Sequence, residues 1–413
     1  MAGLARTQAT LMQDSPLFGQ MLLGYAPVVD HRRDAKAIQL TAMPLRADVQ
    51  PDAAELLRVL SVAFPGPDGG GTAPMSLLLN IAGESLLDRV LALQPPDRFG
   101  VEVPSFMIGN AARAEQFAGL REQGVSLVAK GRAVSALTGP ALNAFRVIIA
   151  DAADEELGVD RPASLGARAL ETYIDGIRMA NEVDRAFASG AKCVIGWTVE
   201  QAASQRRGTV APDLRGIIDL MNLVDQQDSV DRMERVLKAD PTLAFRLLRF
   251  INSSAFGLRV EVTSFRHALM LLGHLRLKRW LSLLLVSAIK DANSRPLLHL
   301  AVRRGFMMEE LAVAAGQDDM RGEMFICGVF SLLDKMLQQP FEELLQHVPM
   351  PSRVQVSLLG DGGPYAVHLR LMEAIERSSF VELRDAADRI NLPTAVINRA
   401  LMAALVSARE LDG

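Results

Sequence analysis

The hydrophobic patterning of the chain changes near residue 205, and no single domain type accommodates both halves. Before this point, short runs rich in Val, Ile and Leu alternate with helical stretches rich in Ala, Leu and Glu. After it, the apolar residues recur with the period of an α-helix. A chain of 413 residues is long enough for two domains. We therefore predict an α/β domain over residues 1–200 and an all-helical domain over residues 201–413, with the boundary in the polar stretch QAASQRRGTVAPD.

The strand-like runs of the first half predict a barrel of βα units. These runs are GYAPVVD, AIQLTAM, SLLLNIA, FGVEVP, VSLVAK, FRVIIAD and KCVIGW. Their alternation with helices such as AARAEQFAGLREQG favours parallel strands, whereas the first two runs, joined by HRRD, predict an antiparallel hairpin. We interpret YIDGIRMANEVDRAFASG as a further helix. Six or so units come close to a full eight-fold barrel but fall short of it.

The glycine-rich stretch PGPDGGGTAP resembles a phosphate-binding loop only superficially. A phosphate-cradling loop needs a strand just before it or a Lys-Ser/Thr pair after it, and neither is present. We interpret this stretch as a mobile loop.

Charge, apolar run lengths and cysteine content narrow the function classes. The net charge of −4 gives no global electrostatic argument for binding nucleic acid or a membrane surface. Since no apolar run reaches the roughly 18 residues needed to span a bilayer, and the N-terminus lacks an apolar signal core, we expect neither membrane nor export. Cys193 and Cys327 lie in apolar surroundings, which is typical of buried, reduced thiols. These features predict a cytoplasmic protein.

Basic residues of the second half do not predict nucleic-acid binding. The densest basic patch comprises Arg276, Lys278 and Arg279. A nucleic-acid reader would need more such charge, interleaved with aromatic residues. We interpret this patch, and the pair Arg303-Arg304, as a solvated helix face or a partner contact.

A polar stretch, Asn252-Ser253-Ser254, separates two apolar helical runs. Such side chains end a helix because they offer hydrogen bonds to the backbone, and Thr263 or Ser264 is placed to cap the next helix. A structural turn therefore explains the stretch without any chemistry.

The same region carries a family resemblance. DPTLAFRLLRFINSSAFG, VTSFRHALMLLG and RLKRWLSLLL, in this order and spacing, resemble the HDOD domain, a bacterial signalling relative of the HD metal-phosphohydrolases. The resemblance covers about residues 205–400, and its signature positions are Asn252, Ser253, Ser254, Arg266 and Gly273. HD hydrolases place an adjacent His and Asp where this chain offers Phe330 and Ser331. The resemblance therefore implies that no metal pair exists there, which is typical of HDOD domains.

The first half resembles the EAL domain, the barrel that hydrolyses cyclic di-GMP in bacteria. The resemblance covers about residues 20–200 and is carried by APVVD, LLLNI, FGVEV and GAKCVIGW. An EAL-like half followed by an HDOD half matches a known bacterial architecture. The implied fold is an EAL-like (β/α) TIM-type barrel, degenerate in its site, followed by an all-helical HDOD domain.

Most residues of the EAL catalytic site are replaced. EAL hydrolysis needs carboxylates that hold two divalent metals, which activate water and stabilise displacement at phosphorus. The Glu-Ala-Leu motif falls on Gln39-Leu40-Thr41, while Asn80 and Glu102 match the family's next two ligands. The positions corresponding to the site are Gln39, Met43, Asn80, Glu102, Lys130, Ile149, Asp151, Asp175, Arg178 and Ile195. Since basic groups in place of metal ligands would repel dications, we predict no catalytic residue, no metal and no cofactor.

The resemblance and these replacements predict a non-catalytic signalling scaffold that binds other signalling proteins. The alternatives are a receptor that binds cyclic di-GMP without hydrolysis and a residual cyclic di-GMP phosphodiesterase. Asn80 and Glu102 also have a plainer interpretation, as polar strand ends facing the barrel mouth. Association with a second copy of the chain stays open, and neither nucleic acid nor membrane is an expected partner.

Overall fold

The protein folds into two compact units. The structure, a computed structural model, describes residues 15–66, 75–131, 143–153, 170–197, 212–252, 262, 264–289, 291, 293–360 and 362–412. One unit comprises the described residues of Ser15–Gln201 and Leu371–Asn398, and the other those of Ala202–Arg370 and Arg399–Gly413. The expected mobile loop, for residues 67–74, and the signature positions Ser253 and Ser254 lie outside the described residues. The domain limits 1–200 and 201–413 stay a prediction.

The first unit is built on a closed barrel. Its strands are β1 (Met21–Asp30), β2 (Ala35–Pro44), β3 (Leu77–Ile81), β4 (Phe99–Pro104), β5 (Ser126–Lys130), β6 (Val147–Asp151), β7 (Glu171–Ile177) and β8 (Cys193–Gly196). They pair in chain order and close between β8 and β1. Strand β1 is antiparallel to both its neighbours, and the other pairs are parallel. The predicted barrel and its initial hairpin are confirmed.

One strand of the barrel was predicted as a helix. Residues Glu171–Ile177 form β7, whereas the sequence analysis placed a helix from Tyr173 onward. Its residues Thr172, Tyr173 and Ile174 are β-branched or aromatic and suit a pleated, half-buried surface. The helix begins only at Ala180, where the Glu182 carboxylate accepts hydrogen bonds from the preceding backbone N–H groups. The seven strand-like runs of the sequence therefore missed one of the eight strands of the described barrel.

Helices surround the barrel, and its interior is apolar. The helices are α1 (Ala53–Ala63), α2 (Glu84–Ala92), α3 (Ser105–Ile108), α4 (Ala111–Glu122) and α5 (Ala180–Ala188), and a 3-10 turn, Pro16–Gly19, precedes β1. A cluster of inward-facing side chains fills the interior, namely Ala26, Val28, Leu78, Val128, Val147, Ile149, Tyr173, Cys193 and Ile195. Interior positions beyond this layer lie at the carboxyl ends of the parallel strands, the end at which barrel sites are built.

After β8, every element that the structure describes is a helix, so the predicted all-helical second half is confirmed. These helices are α6 (Pro212–Asp225), α7 (Val230–Ala239), α8 (Pro241–Ile251), α9 (Phe265–Ser287), α10 (Ser294–Ala314), α11 (Arg321–Phe330), α12 (Leu333–Leu337), α13 (Phe341–Leu344), α14 (Ser352–Leu358), α15 (Ala366–Glu376), α16 (Phe380–Ile390) and α17 (Thr394–Asp412). Helix α16 belongs to the barrel unit. Within the described part of the chain, no single helix is long and apolar enough to cross a membrane. Only the bent pair Phe380–Ile390 and Thr394–Arg409 passes that test, when its two helices are taken together.

Candidate functional site

The polar residues of the barrel interior meet at the carboxyl ends of the parallel strands, here called the mouth. Side chains alternate between the two faces of a strand, so Gln39 on β2 and Asn80 on β3 point inward two positions after apolar interior residues. The same alternation turns Glu102, Lys130 and Asp175 inward on β4, β5 and β7. The sequence distributes these five residues over 137 positions, and barrel closure brings them to one end.

Four of these side chains form one network. Lys130 Nζ lies 2.9 Å from Glu102 Oε2 and 2.7 Å from Asp175 Oδ2. Gln39 Nε2 donates to Glu102 Oε1 at 2.7 Å and to Asp175 Oδ2 at 3.4 Å. Beside it, Asn80 Nδ2 donates to Thr41 Oγ1 at 3.3 Å. Two carboxylates are thus bridged by one ammonium and one amide.

Burial sets the charges of this network. The Glu102 side chain is only 1% exposed, whereas Lys130 and Asp175 are 27% and 23% exposed. Burial raises the pKa of Glu102, and the charge of Lys130 opposes this rise. Burial would lower the pKa of Lys130, but the charges of Glu102 and Asp175 outweigh it and raise that pKa above its ordinary value. Lys130 therefore stays protonated throughout the neutral range.

The described residues of the mouth do not fit a two-metal centre. The Lys130 ammonium already occupies the position between the two carboxylates, where it would repel a dication. Gln39 offers an amide that donates to Glu102 instead of a carboxylate that could bind metal. Among the described residues, no group of three or more His, Cys, Asp or Glu side chains is arranged to hold a metal ion.

The remaining barrel positions do not join the network. Ile149 and Ile195 lie in the apolar interior layer. Asp151 is exposed at the end of β6, where its carboxylate accepts a hydrogen bond from the backbone two residues later. Arg178 is exposed after β7, and Met43 is half-buried near the end of β2.

In the helical half, Asn252 has a structural role. It ends α8, its Nδ2 donates to Val262 O at 2.8 Å, and its Oδ1 accepts from Val262 N at 2.7 Å. Arg266 pairs with Asp231 and Glu234 of α7. The contacts of Asn252 support its predicted role at the end of a helix.

Gly273 and the pair Phe330-Ser331, at the position of the lost His and Asp, also have structural roles. Gly273 has a φ of 65°, a left-handed conformation that breaks α9 and that glycine adopts without strain. Phe330 is fully buried, and Ser331 Oγ donates to Gly328 O and accepts from Arg304 Nη1 at 3.1 Å.

Thr41 lies beside Asn80 in the mouth, a role that the sequence-based prediction missed. The C-terminal residues 371–398 belong to the barrel unit, which was also not predicted. Alternation along β2 could have identified Thr41, because it is two positions after Gln39. No local pattern connects residues 371–398 with the barrel.

Comparisons with known proteins place the chain among bacterial relatives. Residues 213–348 match the HDOD domain family. Cyclic di-GMP phosphodiesterase CdgJ of Vibrio cholerae is 31% identical over 156 residues, which are 37% of this chain and 36% of CdgJ. Uncharacterized protein YuxH of Bacillus subtilis is 26% identical over 222 residues, which are 52% of this chain and 53% of YuxH. The chain thus matches about half, or less, of the length of these relatives.

A solved structure is also similar to the barrel half. The EAL domain of FimX from Pseudomonas aeruginosa, bound to c-di-GMP, aligns with 47% of this chain and 95% of that domain, with 13% identity and a TM-score of 0.30.

The comparison with CdgJ corrects one prediction. From the replaced residues we predicted that the chain is not an enzyme, and this is contradicted by a relative that is named a phosphodiesterase and is 31% identical. The replacements were judged against a single catalytic arrangement, and loss of that arrangement does not decide activity.

The predicted fold class is confirmed as a whole. The barrel closes as expected, and all described elements after it are helices. Residues 213–348 thus match the HDOD domain family, and they follow an eight-stranded closed barrel.

Proposed function

We propose that this protein acts in cyclic di-GMP signalling and that the mouth of its barrel binds the dinucleotide. The observation that carries the proposal is the Lys130 network, a charged cluster at the open end of an otherwise apolar barrel. The similarity to CdgJ, which is named a cyclic di-GMP phosphodiesterase, supports the choice of ligand.

The mouth offers the groups that a phosphodiester needs. Lys130 is a permanent cation and 27% of its side chain is exposed, so a phosphate oxygen can reach it. Charge-assisted hydrogen bonds of this kind are roughly twice as strong as neutral ones. Gln39, Asn80 and Thr41 add neutral donors and acceptors within the same ring of strands.

The test is calorimetric titration of the full chain with cyclic di-GMP. Replacing Lys130→Met is expected to weaken binding about tenfold or more, the effect of losing about 1.4 kcal/mol. The matched control is Lys192→Met, which removes an exposed ammonium paired with Glu171 just before β8. It should bind as the wild type does. Absence of binding by the wild-type chain would contradict the proposal.

A second candidate function is hydrolysis of cyclic di-GMP, which the similarity to CdgJ favours. The same protein samples are incubated with the dinucleotide, both with and without added Mg²⁺ or Mn²⁺, and the linear product is followed by chromatography. Product that disappears in Glu102→Gln and in Lys130→Met would assign hydrolysis to the mouth. Product that survives both changes would place the reaction elsewhere.

We further propose that the HDOD domain binds a protein partner through the α8–α9 surface, defined by Phe245, Met270, Leu271 and Leu275. These side chains are 65%, 61%, 44% and 62% exposed. Helices α8 and α9 are packed together, with the rings of Phe250 and Trp280 stacked at 5.7 Å. Met270, Leu271 and Leu275 lie close together in the chain on α9, and exposed apolar patches are typical of protein-binding surfaces.

The exposed arginines of α8 and α9 indicate which kind of partner this surface would bind. Arg246, Arg249 and Arg276 are exposed on the same two helices, and the described residues provide none of them with a carboxylate. An apolar surface with unneutralised arginines suits an amphipathic helix that carries acidic residues beside its apolar face. Each complementary charge accelerates encounter, and the apolar face supplies affinity.

The test begins with a pull-down. The acidic helix of a recovered partner is then prepared as a peptide, and its binding is measured directly. Phe245→Ser should abolish binding, and the double change Arg249→Glu, Arg276→Glu should weaken it most at low salt. Val381→Ser is the control, since it removes an 82% exposed apolar side chain from the barrel unit. Equal binding by all variants would refute the assignment.

A further inference from the structure

The segment Leu371–Asn398 packs on the rim of the barrel mouth. Asn398 Nδ2 donates to Phe18 O and to Met21 O, at 2.8 Å each. Arg384 Nη2 donates to Leu45 O at 2.6 Å. Met21 pairs with Pro44 across the antiparallel hairpin, so the start of β1 and the end of β2 both lie at the carboxyl ends of the parallel strands. The C-terminal segment is therefore held at the end of the barrel that carries the polar network.

A close approach at Gly24 places one turn of this segment against the mouth. Gly24 pairs with Thr41 and has the inward orientation of Ala26, two residues later. A Cβ at Gly24 would lie 2.5 Å from Ser378 Oγ and 2.9 Å from Ile375 O. The turn between α15 and α16 thus lies beside Thr41, at the edge of the network.

The network has a net negative charge when both of its carboxylates are ionised, and another cation would balance it. Lys130 carries one positive charge, and Glu102 and Asp175 carry two negative charges when both are ionised, so the sum is −1. Cyclic di-GMP carries two phosphodiester charges, and a net negative mouth would repel them. A site for this ligand requires positive charge at the rim.

Arg384 supplies such a charge. Its guanidinium lies at the carbonyl of Leu45, just after β2, and its side chain is exposed. Among the described residues no carboxylate pairs with it, and an arginine has five N–H donors, of which this contact uses one. The planar arrangement of the others suits two phosphate oxygens at once.

We propose that Arg384 is a phosphate-binding residue of the mouth, delivered to the barrel by the C-terminal segment. This inference rests on the proposed function of the mouth. Arg384 lies 339 residues after Leu45 in the chain, and through it the C-terminal segment completes the ligand site.

The first test compares two arginines of α16 by calorimetric titration of the full chain with cyclic di-GMP. Arg384→Ala should weaken binding about tenfold. Arg389→Ala is the matched control, because Arg389 is exposed on the same helix, carries the same charge and pairs with Asp385. It should change binding by less than about twofold, since exposed ion pairs contribute little. Arg384→Lys should recover part of the loss.

A second variant displaces the segment and keeps its charges. Gly24→Ala inserts a Cβ into the backbone of the turn, so it should weaken binding as Arg384→Ala does and increase hydrogen exchange over residues 371–398. Gly19→Ala is its control, because a Cβ there meets only Ala395 at an ordinary 3.9 Å.

The outcomes separate the two proposals. If Lys130→Met abolishes binding while Arg384→Ala and Gly24→Ala bind as the wild type does, the mouth is the site and the role of Arg384 is overturned. If the wild-type chain binds no cyclic di-GMP, both proposals fall. If Arg384→Ala and Gly24→Ala both weaken binding and their controls do not, the inference holds.

Discussion

At the scale of single residues, Lys130 decides the state of the barrel mouth. Burial favours the protonated form of Glu102, and the Lys130 ammonium opposes this by stabilising the charged form. Lys130 has a raised pKa, so its contribution to stability is complete below its unfolded pKa and is lost only as the pH rises through the folded value. Across the neutral range the contribution is therefore present in full.

The pairing of Lys130 with the buried Glu102 predicts that Lys130→Met lowers the free energy of unfolding by an amount that depends on pH. At pH 8 the variant buries the Glu102 charge without its ammonium, and we expect a loss of about 3 kcal/mol in the free energy of unfolding. Removing the ammonium raises the pKa of Glu102 further, so the carboxyl takes up a proton as the pH falls and the loss shrinks towards pH 5. Urea unfolding at the two pH values measures it.

The matched control for that experiment is the double variant Lys130→Met, Glu102→Gln. It has no buried charge to protonate, so its stability relative to the wild type should differ less between pH 8 and pH 5. An equal loss for Lys130→Met at both pH values would show that the lost contact is one of packing and not of charge.

Sequence reasoning located the residues of this network but not their contacts. The EAL resemblance alone selected Gln39, Glu102, Lys130 and Asp175 as site positions. The expectation that Lys130 would repel a dication was reasoned from charge alone. The 2.9 and 2.7 Å contacts with two carboxylates depend on how four strands close, which no single strand encodes.

At the scale of elements, two glycines set the crossing of α10 and α11. A Cβ at Gly328 would lie 2.6 Å from the backbone of Arg304 and from Gly305 N, and a Cβ at Gly305 would lie 2.6 Å from a Val329 methyl. The two backbones approach so closely because neither residue has a side chain. Helix α11 also carries Phe325 and Phe330, both fully buried.

We therefore expect Gly328→Ala to destabilise the helical unit by about 1–3 kcal/mol, the range for overpacked cores. Helix propensity alone predicts the opposite, a gain of about 1 kcal/mol. Gly119→Ala on α4 is the control, because no atom lies within 4 Å of its added Cβ, and it should stabilise. Thermal unfolding of both variants measures the difference, and a stabilised Gly328→Ala would refute the close crossing.

Helical periodicity predicted the helices α9, α10 and α11, but the exposure expected for some of their polar residues was wrong. Arg303 and Arg304 were interpreted as a solvated face or partner contact, yet they are only 3% and 2% exposed. Arg279 lies 4.1 Å above the centre of the Phe325 ring and bonds Glu309 at 2.5 Å. A single helix pattern cannot show this, because burial depends on which other helices cover it.

At the scale of the whole molecule, neither of the two units is a single continuous stretch of the chain. The sequence predicted two consecutive domains, because hydrophobic patterns report only local structure. Residues Leu371–Asn398 nevertheless belong to the barrel unit, and Asn398 reaches main-chain oxygens 380 and 377 residues earlier in the chain. Contacts at such separations leave no trace in local periodicity, so the sequence could not reveal them.

The consequence for stability can be tested at Asn398. This side chain is 1% exposed and donates to Phe18 O and Met21 O, so Asn398→Ala leaves two carbonyl groups short of a donor. A buried group that loses its hydrogen bond costs about 1–3 kcal/mol, and we expect a loss of about 2 kcal/mol from the barrel unit. Trp197 in the barrel unit reports this by fluorescence, once Trp280 of the other unit is changed to Phe.

In that Trp280→Phe background, Asn222→Ala serves as the control, because Asn222 is half-buried on α6 in the other unit. It should leave the Trp197 transition within about 0.5 kcal/mol of its parent. If Asn398→Ala lowers the Trp197 midpoint and Asn222→Ala does not, the barrel unfolds together with the segment Leu371–Asn398, which lies far beyond its last strand in the chain. An unchanged midpoint would mean that this segment detaches before the barrel unfolds.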